Sequence, residues 1–302
     1  MPATMSSPEA PPTLRPLAVC IDDLGLHAGV NQAAQALALA GRVSSWSCMV
    51  DGEAMADVAA WLASNPHDNL ELGLHLNLSE ALPGTRWHRP LNSLLLGSHL
   101  GALNTTPVRT ALTADIARQL DTYEQRLGAM PDFIDGHQHV HQLPVVRELL
   151  MAEVQRRWPA GSARRPWLRR CASPAAAPTG DTSGPLPGPE RLKPWIIQSL
   201  GCAPLSRLAA AAGLRQNEHL LGVRRFEGGS SSFVRLINAW LARAGDLDLL
   251  MVHPAAALPG LSDGILAARA VEYAVLAGPE FDSALARHGL QVQPLRRTWA
   301  AA

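Results

Sequence analysis

A charge of one sign in excess is the first thing this chain lacks. Lysine plus arginine equals aspartate plus glutamate at 26 each. No net field therefore favours nucleic acid, an anionic membrane or an acidic partner, and a small or neutral substrate fits better. The arginines at 156, 157, 164, 165, 169 and 170 make a local cluster, but no nucleic-acid module accompanies them, so nucleic acid is set aside as a partner. The 4 cysteines, Cys20, Cys48, Cys171 and Cys202, include no CxxC pair. That excludes a zinc ribbon, a thioredoxin-like site and a secreted disulfide framework, and makes a reducing cytoplasm the expected compartment. Met1 to Pro16 is rich in proline, alanine and serine and lacks the basic start and apolar core of a secretory signal. This stretch, 1–16, is expected to be a disordered tail. No apolar run approaches the roughly 20 residues needed to cross a bilayer, so no membrane span is expected. There is no heptad, solenoid period or other repeat, and a homo-oligomer stays open.

What is present is an alternation. Short apolar runs take turns with stretches of helical periodicity, the pattern of an α/β fold with parallel strands. A chain of 302 residues can bury a substantial core. Strands are expected at Leu17 to Ile21, Ser45 to Val50, Leu70 to Leu76, Phe133 to Ile134, Trp167 to Arg169 and Leu247 to Val252. Helices are expected at 30–40, 53–64, 113–127, 145–157, 231–244 and 267–277. The third helix is the clearest, because Ile116, Leu120, Tyr123 and Leu127 recur at helical spacing, and Thr113 is placed to cap it. The interval 159–194 is rich in proline, glycine and small residues. It reads as mostly loop, a lid or an insertion, within one domain spanning 17–302.

The chemistry gathers where the apolar runs stop. LAVCI ends in Asp22 and Asp23 before Gly25. Two adjacent carboxylates raise the pKa of one unless a cation or hydrogen bonds compensate, which a divalent metal would do; turn and cap roles are the other reading. ELGLHLNLSE carries His75 with Asn77 two residues on, on one strand face. DLDLLMVHP places His253 before Pro254. FIDGHQHVH puts His137, His139 and His141 directly after Asp135. On a strand all three imidazoles would share a face, on a helix only His137 and His141. Such a cluster suggests a metal-centred site, although single histidines also serve as core residues. Asp22, Asp23, His75, His137, His253 and Arg169 all follow the apolar parts of strand candidates, five strands in all. In a β/α barrel the C-terminal rim gathers such ends into one catalytic face.

At these residues the chain resembles the YdjC family of carbohydrate deacetylases, also called the ChbG/HpnK family. The likeness lies in DDLG followed by GVN at 29–31, GLHLN at 73–77, DGHQHVH at 135–141 with Pro144 beyond, a strand ending in LRR, the HP of 253–254, and the spacing of Arg269 and Glu272. The resemblance implies a distorted β/α barrel related to the polysaccharide deacetylases, and hydrolytic removal of an N-acetyl group from an amino sugar, an oligosaccharide or a glycolipid headgroup. It implies one divalent metal held by Asp23, His75 and His137, with magnesium favoured and zinc or another transition metal chemically reasonable. Three protein ligands leave positions open for water and substrate. Asp22 would act as general base on the attacking water, and His253 as the acid for the departing amine. Asp135 would orient an imidazole. Asn77, His139, His141 and Arg169 would bind substrate or support the ligands. The chain departs from the family pattern at MVHPAAAL, where a cysteine before the histidine and a glycine after the proline are usual. Two competing functions remain: another metal-dependent hydrolase, such as a phosphodiesterase, and a metal- or sugar-binding protein without turnover.

Overall fold

The structure, a computed structural model, describes residues 14–65, 67–174 and 188–301. Among these residues eight strands form one sheet: β1 (Arg15–Leu24), β2 (Ser45–Cys48), β3 (Glu71–Leu76), β4 (Phe133–Gly136), β5 (Trp167–Leu168), β6 (Leu220–Leu221), β7 (Leu249–Val252) and β8 (Leu290–Val292). Their order is β5-β4-β3-β2-β1-β7-β6, with β8 pairing β1 off this path, and every pairing is parallel. One bridge, Leu168 to Gln216 just ahead of β6, links the two ends of the path. The result is the expected distorted β/α barrel.

Helices occupy the connections: α1 (Ala28–Leu39), α2 (Met55–Ser64), α3 (Leu91–His99), α4 (Thr106–Leu127), α5 (Val146–Arg157), α6 (Gly188–Ser199), α7 (Cys202–Ala211), α8 (Ser230–Leu241), α9 (Leu266–Ala277), α10 (Pro279–Arg287) and α11 (Leu295–Ala301). Parallel strands need such crossovers. Among the described residues no helix is long and apolar enough to cross a membrane, and all four cysteines are buried and free.

The structure corrects several sequence expectations. β1 begins at Arg15, inside the stretch expected as tail, because Arg15 and Pro16 pair with Leu290 and Gln291 of β8; residues 1–13 lie outside the described residues. Thr113 caps nothing, since α4 starts at Thr106, a full two turns earlier, with Pro107 in its first turn, where a missing N–H is harmless. Within the 159–194 interval, expected to be mostly loop, α6 begins at Gly188; residues 175–187 lie outside the described set.

Strand alternation divides the core in two. Ala18, Cys20, Phe133, Trp167, Leu220, Leu249 and Met251 pack together with Leu295 of α11 as one buried cluster. Their neighbours along the same strands, among them Leu17, Val19, Ile21, Ile134, Leu168, Leu250 and Val252, belong to a second and larger cluster with the helices. The first cluster fills the barrel and the second joins sheet to helices, the layering of a closed parallel sheet.

Candidate active site

The rim continues the inner parity. Asp22, His75, Asp135, Arg169 and His253 stand two residues beyond the inner positions Cys20, Gly73, Phe133, Trp167 and Met251. The barrel's interior thus changes from apolar to ionisable at the C-terminal ends of five strands. Strict alternation would turn Asp23 away from Asp22. Instead the β1–β2 register shifts between Ile21 and Leu24, and Asp23 takes a left-handed φ of 64°. A bulge of this kind re-aims side chains, and aspartate tolerates left-handed backbone better than most residues. Both carboxylates therefore reach the same site.

Asp23, His75 and His137 form a group able to hold a metal ion, with one donor atom from each and all donors within 4.8 Å of one another. His75 Nε2 lies 3.2 Å from Asp23 Oδ1, and His137 Nδ1 lies 2.8 Å from the same oxygen. The other oxygen of Asp23 accepts from Arg269 at 2.6 Å. Burial works against ionisation of Asp23, but Arg269 and His137 hold its carboxyl well below the usual range. One carboxylate oxygen and two imidazole nitrogens are a donor set that suits a divalent ion, so the residues present fit one.

Supporting groups fix the donors. Asp135 Oδ1 takes the Nδ1 side of His75 at 2.6 Å and accepts from Ser47 Oγ at 2.5 Å. With Nδ1 turned to a carboxylate, Nε2 is the His75 nitrogen that faces Asp23 and would ligate an ion held there. Arg169, fully buried, donates to Asp22 Oδ1 and Oδ2, each at 2.6 Å, and lies 2.6 Å from Asp135 Oδ2. It also donates to Cys20 Sγ at 3.1 Å. Arg169 therefore braces the two aspartates from behind and has no exposed surface to offer a substrate.

His253 stands on the other flank of Asp22, with Nε2 4.0 Å from Asp22 Oδ2. Its backbone N–H donates to Glu272 Oε2 at 2.5 Å, and Glu272 Oε1 accepts from Arg224 Nε at 3.0 Å. Phe226 meets its ring edge-on at 5.1 Å. Beyond it, the Ala255 N–H donates to Arg269 O and the Ala256 N–H to Gly29 O. These bonds anchor the MVHPAAAL loop without the usual glycine.

The histidine run does not act as a unit. β4 stops at Gly136, and a 3-10 helix over His137–Gln142 follows, with Gln138 and His139 in left-handed backbone. Neither the strand nor the helix expectation for the run holds. At Gly136 a Cβ would stand 2.9 Å from the His141 nitrogen, so glycine permits the fold-back. His137 enters the donor group, while His141 Nε2 is 3.0 Å from Arg169 O and His139 Nδ1 is 3.7 Å from Cys171 Sγ. Burial pushes His141 down to about 4 and His139 well below its ordinary value, which keeps both neutral. Asn77 closes a turn: its Oδ1 accepts from the Ser79 and Glu80 N–H groups and its Nδ2 donates to Glu80 O.

Sequence reasoning missed Ser47, Glu80, Arg224 and Asp263. Ser47 was discoverable, since Ser45 and Ser47 alternate with apolar residues in SWSC. Asp263, which pairs with Arg269 and lies 3.5 Å from His27, stands in a glycine-containing loop with no periodic signal.

Fold and rim together define a parallel β/α barrel with a carboxylate–imidazole centre at the C-terminal ends of its strands. A model of the family described as YdjC-like protein matches residues 16–287, and the chain belongs to that family. A carbohydrate deacetylase of Mus musculus is 35% identical over 151 residues, 46% of this chain and 47% of that protein. A chitooligosaccharide deacetylase of Enterobacter sp. (strain 638) is 32% identical over 140 residues, 44% of this chain and 53% of that protein. The chain thus spans about half the length of the curated relatives it matches. A crystal structure from Enterococcus faecalis V583, named for cellobiose-phosphate cleavage, shares the fold with a TM-score of 0.60 at 16% identity, covering 94% of this chain and 98% of that one.

Proposed function

We propose that this protein is a metal-dependent hydrolase that removes an N-acetyl group from an amino sugar, an oligosaccharide or a glycolipid headgroup by cleaving a linear amide C–N bond. One observation carries the reading. The donor group Asp23, His75 and His137 is flanked on the rim by a carboxylate, Asp22, and an imidazole, His253, 4.0 Å apart. Relatives named carbohydrate deacetylase and chitooligosaccharide deacetylase support the substrate class.

Asp23, His75 and His137 would hold the ion. When bound it would polarise the acetamide carbonyl and make water a better nucleophile. Family resemblance favours magnesium, and the two imidazoles also suit zinc. Asp22 accepts the proton of the attacking water. Its two oxygens are held by Arg169, yet a carboxylate has about four lone-pair sites and keeps room for that proton. His253, on the far side of Asp22, delivers a proton to the departing amine. Glu272 fixes the backbone that carries it.

The test measures acetate release from N-acetylated chitooligosaccharides, with and without chelator. Turnover should stop on chelation and return with metal. Asp22→Asn should keep metal and lose about 10²–10⁴-fold in turnover, His253→Gln should behave likewise, and His75→Ala and His137→Ala should lose both metal and turnover. Undiminished turnover in Asp22→Asn would sink the mechanism. Phosphate release from a phosphodiester with no acetate release would replace deacetylation with phosphodiester hydrolysis.

A further inference from the structure

Each imidazole of the donor group has a second nitrogen, and what faces it decides how firmly the ring is aimed. For His75 that partner is Asp135, 2.6 Å from Nδ1. For His137 the second nitrogen is Nε2, which is buried and makes no hydrogen bond. The carboxylate across from it is Glu80, with Oε1 at 3.5 Å. Glu80 is part-exposed, its side chain 42% accessible.

The position of Glu80 is built. Asn77 clasps the turn that carries it, accepting from the Ser79 and Glu80 N–H groups at 3.2 and 3.0 Å and donating to Glu80 O at 2.9 Å. Asn77 is in turn gripped by α4: its N–H donates to Gln119 Oε1 at 3.0 Å and its carbonyl accepts from Gln119 Nε2 at 2.6 Å. Gln119 Nε2 also donates to Asp115 Oδ2 at 2.8 Å. A buried polar relay thus runs from α4 to a carboxylate facing His137.

We infer that Glu80 is a positioning residue. Its carboxylate is the acceptor for His137 Nε2–H, which orients the ring and, with an ion held through Nδ1, would make His137 a stronger ligand. Asp135 does the same for His75, so both imidazoles carry a carboxylate on the nitrogen remote from Asp23. Asn77 serves this arrangement through the turn it closes. The inference rests on the metal reading proposed above.

The experiment titrates Zn²⁺ into the metal-free full chain by calorimetry, for the wild type, Glu80→Gln and Glu80→Ala, and records the melting temperature of each metal-free protein. One site is expected in the wild type. Glu80→Gln should weaken Zn²⁺ binding about tenfold and Glu80→Ala up to about a hundredfold, with metal-free melting temperatures unchanged because Glu80 is part-exposed. The graded order, with glutamine intermediate, follows from partial replacement of the acceptor. Affinities within about twofold of the wild type in both variants, or losses that track a lower metal-free melting temperature, overturn the role of Glu80 while leaving the metal reading intact. No Zn²⁺ binding by the wild type overturns both.

Discussion

Arg169 is the residue on which the site's electrostatics turn. It is fully buried and bonded to Asp22 and Asp135. Burial opposes its charge, but Asp135 and Asp22 raise its pKa well above the ordinary value. Removing one partner of a buried ion pair leaves uncompensated charge, at about 3–5 kcal/mol. Arg169→Met should therefore lose about that much stability in urea unfolding, and Arg169→Lys should recover only part, since an ammonium cannot bond two carboxylates with a planar fork. A loss below about 1 kcal/mol in Arg169→Met would show that the cluster relaxes around a neutral side chain. At this scale much was legible. Asp22, His75 and His253 each end an apolar run, so their convergence follows from parallel strands, whereas Asp23 also needs the bulge in β1 and His137 the turn after β4. The role of Arg169 was not, because LRR says only that a cation ends the strand. Its two carboxylate partners are 147 and 34 residues away along the chain, and such contacts leave no local periodicity.

The inner column of β3 shows how a strand builds the rim. Glu71, Gly73 and His75 share a face, one at each level of the barrel. A Cβ on Gly73 would stand 2.3 Å from the Phe133 ring, which is stacked on Trp167 at 4.4 Å. The glycine exists to admit that ring. Gly73→Ala should force Phe133 and Trp167 apart at an overpacking penalty of about 1–3 kcal/mol or more. It should also disturb the register that sets His75 opposite Asp135, so the check pairs thermal unfolding with Zn²⁺ titration. Wild-type stability and affinity together would mean that the stacked pair moves freely. Elements with a clear period were readable: six of the eight strands and the central helices fall where the apolar pattern places them. β6 and β8, at 2 and 3 residues, are too short to show alternation. α3, α6, α7, α10 and α11 were hidden by composition; α6 even carries Pro194 within it, and proline normally argues against a helix interior.

The whole barrel is plugged at the end opposite the site. Glu71 sits at that end with Oε1 accepting from Trp167 Nε1 at 3.0 Å and Oε2 accepting from the Leu295 N–H at 2.9 Å. One carboxyl group thus ties β3, β5 and the start of α11 together. Arg296 is no nearer than 3.5 Å. Burial, the largest influence, raises the Glu71 pKa from 4.5 to about 7 against the pull of the Trp167 bond. A carboxyl raised on folding binds its proton more tightly in the native state. Its contribution to stability is then fully present below pH 4.5 and is lost as pH rises through about 7. A shift of this size corresponds to about 3 kcal/mol in full, of which about 2.5 kcal/mol falls between about pH 5 and 8. Urea unfolding at a series of pH values from about 5 to 8 should therefore show the wild type losing about 2.5 kcal/mol relative to Glu71→Gln, whose amide cannot ionise. The glutamine keeps an acceptor for only one of the two donors, so its absolute stability falls at low pH and the two curves converge as pH rises. The change in their separation, not either curve alone, is the signal, because every other titrating group is common to both proteins. Parallel curves across that range would mean that Glu71 is ionised in the folded barrel throughout, with its two N–H donors and Arg296 sufficient to hold the charge.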